Sequence, residues 1–235
     1  MPNIFCHRGI FDNVQVFENT IKAFKASTYN KIGIEFDIRL TKDKKLVVYH
    51  DDNLKRLLKV NKKIENITYD ELKTFSFNDD NDMVPTVKEV LDLVKGEVPL
   101  LIEIKKTKNR RYLIHELNRL LTDYNGEVIL ETFDPLILKL IAFSSLKRYK
   151  RAILITNSYK GVKDFWYKFY IYNIIGKTSY CNFLAVPKSL VSYSKMKSNK
   201  SLFIWTIKTY QEYLKYKHDS SNLICENYSW QQKTT

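Results

Sequence analysis

The sequence is poor in the residues that divide a chain into separate units. It has only 6 glycines and 5 prolines among 235 residues, and no stretch rich in proline, glycine or serine interrupts it. Such stretches usually mark linkers between domains. A hydrophobic content of 44% is enough to bury one good core. We therefore expect residues 1–235 to form a single domain.

Cysteine and long apolar segments are also scarce. The three cysteines are an odd number, and Cys6, Cys181 and Cys225 each adjoin an apolar segment, where buried thiols are common. They predict neither a disulfide framework nor a metal site. No apolar segment approaches the roughly 20 residues of a transmembrane helix. The first residues lead directly into a predicted strand, without the pattern of a signal peptide, so we expect a cytoplasmic protein.

Positive charge is concentrated in one part of the chain. Residues 139–217 contain sixteen lysines and arginines but only Asp164 and Glu212 as acids, so the whole excess of positive charge, +13 for the chain, lies there. Such a region attracts anionic surfaces. A nucleic acid is not the expected partner, because no clear stacking platform or nucleic-acid motif accompanies the charge.

Within this region, residues 165–175 are dense in aromatic side chains and have lysines nearby. As a helix, this segment could lie in a membrane interface, where Trp and Tyr favour the headgroup depth. The alternative is an outer helix that packs its aromatic side chains on a sheet. Peripheral binding to an anionic membrane is therefore a hypothesis at this stage.

Apolar and β-branched segments predict nine strands, most of them separated by helical patterns. They lie near residues 3–7, 32–40, 45–50, 98–105, 127–133, 151–156, 182–187, 202–207 and 222–226. Strands that alternate with helices predict a parallel sheet whose faces are buried. Asn19 is the expected N-cap of the first helix, and residues 86–94 predict another helix.

Charged side chains stand near the ends of several predicted strands. Glu35 and Asp37 are two residues apart, so both point to the same face of their strand with stems roughly 7 Å apart. Glu103 and Lys105 are related in the same way. Three carboxylates can converge on one cation, and hard oxygen ligands favour magnesium, calcium or manganese. The ammonium of Lys105 can serve a phosphate beside that metal.

Each pair alone could be the polar face of an exposed strand. The whole set argues against this alternative, because the faces of a parallel sheet are buried and buried charges need partners. A metal ion is such a partner.

Two histidines complete this set of groups. His7 and His50 each follow an apolar segment, where a strand is expected to end. Side chains that titrate near neutrality can take a proton from an attacking oxygen and give one to a leaving oxygen. Arg8, which precedes a glycine, suits bidentate capture of phosphate oxygens. His115 and His218 lie in a helical pattern and a polar turn, where a structural or solvated role is expected. The set suits metal-assisted cleavage of a phosphodiester.

These motifs together resemble those of the glycerophosphodiester phosphodiesterase family, in the family's order and over most of the chain. The matching segments are His7-Arg8-Gly9, Glu18-Asn19-Thr20, Glu35-Phe36-Asp37, and residues 46–51, 67–72, 84–91, 101–105 and 205–206. The resemblance implies a compact (β/α)8 TIM barrel with a small insertion after the second strand and a truncated last helix. Residues 51–83 would be that insertion, a lid over the mouth of the barrel.

The resemblance also implies a role for each site residue. His7 and His50 would be the acid and base, Glu35, Asp37 and Glu103 would hold one divalent cation, Arg8 and Lys105 would bind phosphate, and Trp205 would line the pocket for the alcohol groups. Which histidine is acid and which is base stays open. So does the choice among Mg²⁺, Ca²⁺ and Mn²⁺.

Three positions depart from the family pattern. Phe17 stands where a proline usually precedes Glu-Asn-Thr, and Lys208 stands where an asparagine is common after the Trp-Thr strand. The closing segment 223–228 lacks the usual Thr-Asp-x-Pro ending.

Three functions compete. The first is hydrolysis of glycerophosphodiesters to glycerol phosphate and an alcohol. The second resembles the sphingomyelinase D and phospholipase D branch of the superfamily, in which a hydroxyl of a lysolipid-type substrate attacks and a cyclic phosphate forms. The third is a non-catalytic barrel whose basic region binds anionic lipid or polymer. We favour the first and rank the third lowest, because the site residues are all present.

Overall fold

The computed structural model describes residues 3–77, 82–157, 180–218 and 222–226. Within these ranges lie nine strands and eight α-helices. The strands are β1 (Ile4–His7), β2 (Gly33–Leu40), β3 (Leu46–Val48), β4 (Leu100–Ile104), β5 (Val128–Thr132), β6 (Lys150–Leu154), β7 (Phe183–Pro187), β8 (Ser201–Ile207) and β9 (Asn222–Cys225). The helices are α1 (Ile21–Tyr29), α2 (Lys55–Leu58), α3 (Tyr69–Leu72), α4 (Val87–Val94), α5 (Arg110–Leu121), α6 (Pro135–Ala142), α7 (Val191–Lys197) and α8 (Tyr210–Tyr216).

Eight of the strands close into a parallel barrel. Their order is β1-β2-β4-β5-β6-β7-β8-β9, and β9 pairs back with β1. The remaining strand, β3, runs antiparallel to β2 and pairs with its last three residues, beyond the point where β1 ends. The TIM barrel expected from the sequence is confirmed. Each of the nine predicted segments overlaps one strand, although β6 and β8 begin one residue earlier than predicted.

The alternation of side chains along the strands separates the core into two zones. Outside the barrel, apolar residues of the strands pack against α1, α4, α5 and α6. Inside it, the lower layer is also apolar and contains Phe5, Leu101, Ile129, Ala185 and Phe203. Two residues further along four of these strands, on the same face, stand His7, Glu103, Glu131 and Trp205. An apolar layer thus supports a polar mouth.

The first helix begins one residue later than the sequence predicts. Its N-cap is Thr20, whose side chain accepts a hydrogen bond from the backbone amide of Ala23. The expected N-cap, Asn19, has a φ of 60° in the left-handed region and turns its side chain toward β2 instead. The prediction for α4 is correct, since Thr86 caps it and forms a capping box with Glu89.

Residues 51–77, within the predicted insertion, fold around an apolar cluster of their own. This part contains α2, a 3-10 helix (Ile64–Asn66) and α3. Leu54, Ile64 and Leu72 are buried there together with Tyr49, which directly follows β3. That this segment acts as a lid stays a prediction.

The expected truncation of the last helix and the aromatic segment 165–175 lie outside the described residues. Among the described residues, no helix is long and apolar enough to cross a membrane.

Candidate active site at the mouth of the barrel

The predicted site residues meet at the carboxyl end of the barrel. In a parallel barrel the carboxyl ends of all strands open at the same mouth. A cavity of about 180 Å³ lies there, and seven of the eight predicted residues line it: His7, Arg8, Glu35, His50, Glu103, Lys105 and Trp205. The eighth, Asp37, lies directly behind and contacts Lys105.

Three carboxylates converge below this cavity. Glu35, Asp37 and Glu103 are buried, and each offers one oxygen within 4.8 Å of the others. β2 supplies the first two and β4 the third, in the register that places Asp37 opposite Glu103. Buried carboxylate oxygens at this separation are a donor set that suits a hard divalent cation.

Neighbouring groups fix the orientation of two of these carboxylates. The backbone amide of Arg8 donates to Glu35 Oε2 at 2.8 Å. Asn19 Nδ2 donates to Asp37 Oδ2 at 2.8 Å, while Asn19 Oδ1 accepts from the Asp37 amide at 3.3 Å. The left-handed backbone of Asn19 therefore turns its side chain toward a predicted metal ligand, which explains why it does not cap α1.

Lys105 lies between two of the acids. Its Nζ is 2.6 Å from Asp37 Oδ1 and 2.6 Å from Glu103 Oε1. Burial alone would lower the pKa of Lys105, but the two carboxylates raise it above the usual value. Burial alone would raise the pKa of Asp37, because it disfavours the charged carboxylate. Lys105 and the other nearby cations outweigh burial and keep this pKa well below its usual value. The ammonium partly neutralises the acidic cluster.

A fourth carboxylate, Glu131 on β5, was missed by the sequence analysis. It pairs in register with Glu103, is 2% exposed and lines the cavity. Its Oε2 has no hydrogen-bond partner among the described residues. The alternation that singles out Glu103 applies equally to the segment 127–133 and would have placed Glu131 on the inner face.

Burial and mutual repulsion disfavour the charges of these acids. Burial, reinforced by the neighbouring carboxylates, raises the pKa of Glu35 and of Glu131 well above the usual value. Burial also raises the pKa of Glu103 to about 7, although Lys105 opposes the shift. An additional cation would offset this repulsion. The residues present therefore fit a divalent metal ion.

The two histidines have unequal partners. His50 Nδ1 lies 2.7 Å from Asp51 Oδ1, a hydrogen bond. His7 Nδ1 lies 3.6 Å from Glu226 Oε2, which is longer than a hydrogen bond. Burial lowers the pKa of His50 to about 4 and also lowers the pKa of His7. Burial thus favours the neutral form of both imidazoles.

Glu226 and Lys208 belong to two of the three places where the chain departs from the family pattern. Glu226 directly follows β9, and Lys208 Nζ lies 3.3 Å from its Oε2. His7 and, to a smaller extent, Lys208 hold the pKa of Glu226 at about 2. The two departures thus bring an ion pair to the mouth beside His7. Sequence reasoning did not find Glu226, because the expected motif is absent.

Arg8 and Trp205 both line the cavity. Arg8 Nη1 donates to Glu18 Oε1 at 2.7 Å, and Arg8 Nε lies 3.4 Å from Asp37 Oδ2.

Trp205 packs edge-on against Phe133, with ring centroids 6.2 Å apart. The buried Nε1 of Trp205 has no hydrogen-bond partner in the described part of the chain. Phe133, which the sequence analysis did not single out, completes an aromatic wall.

Acids that can hold a metal, together with cations and histidines around one cavity, are the groups used in metal-assisted phosphodiester cleavage. Comparison with known proteins agrees with this class of site. The model of the glycerophosphoryl diester phosphodiesterase family matches residues 7–221, and the chain belongs to this family.

Individual relatives support the assignment. A glycerophosphodiester phosphodiesterase of Bacillus altitudinis is 38% identical over 48% of this chain and 47% of its own length. An uncharacterized protein of Mycoplasma genitalium is 32% identical over 92% of this chain and 91% of its own length. Alignments with the first four curated relatives cover between 47% and 60% of those proteins.

Solved structures show the same fold. The glycerophosphodiester phosphodiesterase of Thermotoga maritima is 26% identical, with a TM-score of 0.74 over 100% of this chain and 99% of that one. A phosphodiesterase of Oleispira antarctica, solved with the product sn-glycerol-3-phosphate, is 18% identical, with a TM-score of 0.80 over 100% and 96% of the two chains.

Replacing Glu131 with glutamine should stabilise the metal-free protein at neutral pH. The raised pKa means that the folded state holds the Glu131 proton more tightly than the unfolded state does. Stability from such a group is fully present below the unfolded pKa of about 4.3 and is lost as the pH rises. A neutral amide of similar shape avoids this loss, which we expect to be about 1–3 kcal/mol at pH 7.

Chemical denaturation of both proteins with a chelator present, from pH 4 to 8, measures the effect. The advantage of Glu131→Gln should shrink toward pH 4, where the wild-type carboxyl is protonated in both states. Parallel stability curves across the whole range would contradict the prediction.

Proposed function

We propose that this chain is a divalent-metal-dependent phosphodiesterase that cleaves glycerophosphodiesters to glycerol phosphate and an alcohol. The observation that carries the proposal is the convergence of Glu35, Asp37 and Glu103 on one cavity with His7 and His50. The names of its relatives support the substrate class. The small substrate suits the inner cavity of about 180 Å³.

Glu35, Asp37 and Glu103 would hold one divalent ion, which is Mg²⁺, Ca²⁺ or Mn²⁺ by the preference of carboxylate oxygens. When bound, this ion supplies a Lewis acid that polarises the phosphoryl oxygens. The chain itself fixes two of the carboxylates through the Arg8 amide and Asn19 before any ion binds. Such preorganisation lowers the cost of forming the metal site.

Two cations of the chain would bind the phosphate of the substrate. Arg8 is held by Glu18, and Lys105 is held by Asp37 and Glu103, so both have defined positions on the cavity wall. Guanidinium and ammonium groups form short, charge-assisted hydrogen bonds to phosphate oxygens. Their fixed positions allow them to offset the negative charge that grows as phosphorus is attacked.

The histidines would move the protons. Burial favours the neutral form of both imidazoles, and a neutral imidazole can accept a proton. Asp51 favours the proton on His50 Nδ1 and leaves His50 Nε2 as an acceptor. Which histidine serves as the base and which as the acid stays open.

The attacking group is either water or a neighbouring hydroxyl of the substrate. Attack by the hydroxyl is intramolecular and is favoured by entropy, and it leaves a cyclic phosphate. An outer cavity of about 400 Å³ shares Glu103, Lys105 and Phe133 with the inner one and is lined by both cations and acids. Arg39, Asp52 and Lys106 in that lining can hydrogen-bond a polar alcohol, which supports the glycerophosphodiester as the substrate.

Purified protein should convert glycerophosphocholine, glycerophosphoethanolamine or glycerophosphoglycerol to glycerol phosphate, as followed by phosphorus NMR. A chelator should abolish the reaction, and addition of Mg²⁺, Ca²⁺ or Mn²⁺ should restore it. A cyclic product, or turnover of lysophosphatidylcholine alone, would favour the lipid-directed alternative. No turnover of any of these diesters with any of the three ions would contradict the proposed function.

Replacing His7 or His50 with alanine should lower kcat by about 10²- to 10⁴-fold, because each would remove one proton-transfer group. His115→Ala is the matched control, since that residue is an exposed histidine on α5 and should leave kcat unchanged. Circular dichroism should show the same fold in all three variants. Wild-type kcat in either His7→Ala or His50→Ala would refute the assignment of that histidine.

We also propose that the basic region 139–217 binds anionic membranes peripherally. Its described part includes Lys150 and Lys208, which are more than half exposed, and the exposed apolar residues Phe143 and Met196. The protein should float with vesicles rich in phosphatidylglycerol at low salt but not with phosphatidylcholine vesicles, and salt should release it. Absence of flotation with the anionic vesicles at low salt would end this proposal.

A further inference from the structure

Arg56, on α2 in the segment 51–77, uses three donors on two acids next to the candidate site. Its Nη1 and Nη2 donate to Glu18 Oε2 and Oε1 at 2.9 and 2.6 Å, a bidentate pair. Its Nε donates to Asp51 Oδ2 at 2.6 Å. No role in the proposed chemistry uses Arg56.

The first branch of this contact leads to a histidine. Asp51 accepts Arg56 with Oδ2 and contacts His50 Nδ1 with Oδ1, at 2.7 Å. The planar carboxylate therefore has both oxygens engaged, and its plane is set by a rigid guanidinium on one side. The orientation of the His50 ring follows from the orientation of Asp51.

The second branch leads to the cation that would bind phosphate. Glu18 is 2% exposed, and its Oε1 accepts from both Arg56 Nη2 and Arg8 Nη1, the latter at 2.7 Å. Asn13 Nδ2 adds a bond to Glu18 Oε2 at 3.0 Å. Despite burial, the two arginines hold the pKa of Glu18 at about 2, so its charge persists. Without Arg56, Glu18 would keep Asn13 on Oε2 and would share its charge with Arg8 instead of with two arginines.

We propose that Arg56 is a positioning residue that sets His50 through Asp51 and Arg8 through Glu18. The inference rests on the proposed phosphodiesterase function and deepens it. One guanidinium thereby ties a predicted acid–base group and a predicted phosphate ligand to the segment 51–77. The competent arrangement of the mouth depends on the docking of that segment.

Arg56→Ala should lower kcat by about 10- to 100-fold, because small misplacements of catalytic groups have effects of this size. It should also raise KM, because Glu18 without its second arginine would hold Arg8 more strongly and draw it away from phosphate. Arg119→Ala is the matched control: Arg119 also makes a bidentate pair, with Glu116, but on the surface of α5. That variant should leave both constants unchanged.

A conservative substitution and a chemical rescue distinguish a positioning role of Arg56 from a role in folding stability alone. Arg56→Lys should recover little activity, because a single ammonium cannot replace three guanidinium bonds in two directions. Added guanidinium should partly restore the kcat of Arg56→Ala, since the Arg56 side chain is 42% exposed and its site is open to solvent. Loss of folding stability alone would not be repaired by guanidinium, which denatures proteins at high concentration.

Double variants test the two branches separately. The double variant Arg56→Ala with Asp51→Asn should lower kcat by a much smaller factor than the product of the two single-variant factors. Arg56→Ala and Glu18→Gln should be similarly non-additive in KM. Multiplicative effects in both pairs, or wild-type kcat and KM in folded Arg56→Ala, would overturn the proposal.

A spectroscopic measurement keeps this test independent of turnover. Nitrogen NMR of the histidine side chains, with His50→Ala to assign the signal, should show wild-type His50 protonated on Nδ1. Arg56→Ala should give a mixture of tautomers, whereas Arg119→Ala should not. If the wild-type protein cleaves no diester, the proposed function fails but the tautomer result still decides the positioning role. An unchanged tautomer in Arg56→Ala would overturn the His50 branch.

Discussion

The burial of four carboxylates in one barrel mouth is the constraint on which the rest of the structure depends. Glu35, Asp37, Glu103 and Glu131 lie where water is largely excluded, and like charges in such a place repel strongly. Lys105 offsets part of this repulsion through its contacts with two of the acids. Buried carboxylates that repel one another destabilise the fold, and such groups are typical of functional sites. At this cost the barrel presents a group of carboxylates that could hold a metal ion.

The surrounding contacts show how the chain tolerates that arrangement. The charged level rests on an apolar interior layer, so the acids are held by strands that are well packed below them. Around the acids, Arg8 and Asn19 supply directional bonds, and behind Arg8 lies the buried Glu18. The Glu-Asn-Thr motif therefore serves both α1, through Thr20, and the acidic cluster, through Asn19.

The fold could be predicted almost completely from the sequence, because strand periodicity and the family motifs both report on the backbone. The predicted site residues also meet at one cavity, since parallel strands end at the same mouth. Their roles in catalysis stay predictions. Asn19 was wrongly placed as a helix cap, because local sequence does not show that Asp37, distant in the chain, offers it a better partner.

Other site residues were missed for different reasons. Glu131 obeys the same alternation as Glu103 and was within reach of sequence reasoning. Glu226 and Arg56 were not, because their significance comes from partners brought near by the fold, His7 in one case and Glu18 with Asp51 in the other. Side-chain partners across 38 residues, as between Arg56 and Glu18, leave no periodic signal.

The antiparallel pairing of β3 with the end of β2 has a consequence for how such a mouth can change over evolution. β2 carries two of the acids, and β1 pairs along one of its edges with His7 in register with Glu35. Further along the same edge, the backbone amide of Tyr49 donates to the Asp37 carbonyl at 3.0 Å, just before His50. Both histidines are thereby fixed relative to one backbone segment. A one-residue insertion or deletion within β2 would turn its acids outward and its apolar side chains inward. We therefore expect the length of β2 to be constrained by its acids. Insertions and deletions are better tolerated in the connecting segments, where they can change substrate preference and leave the acidic cluster in place.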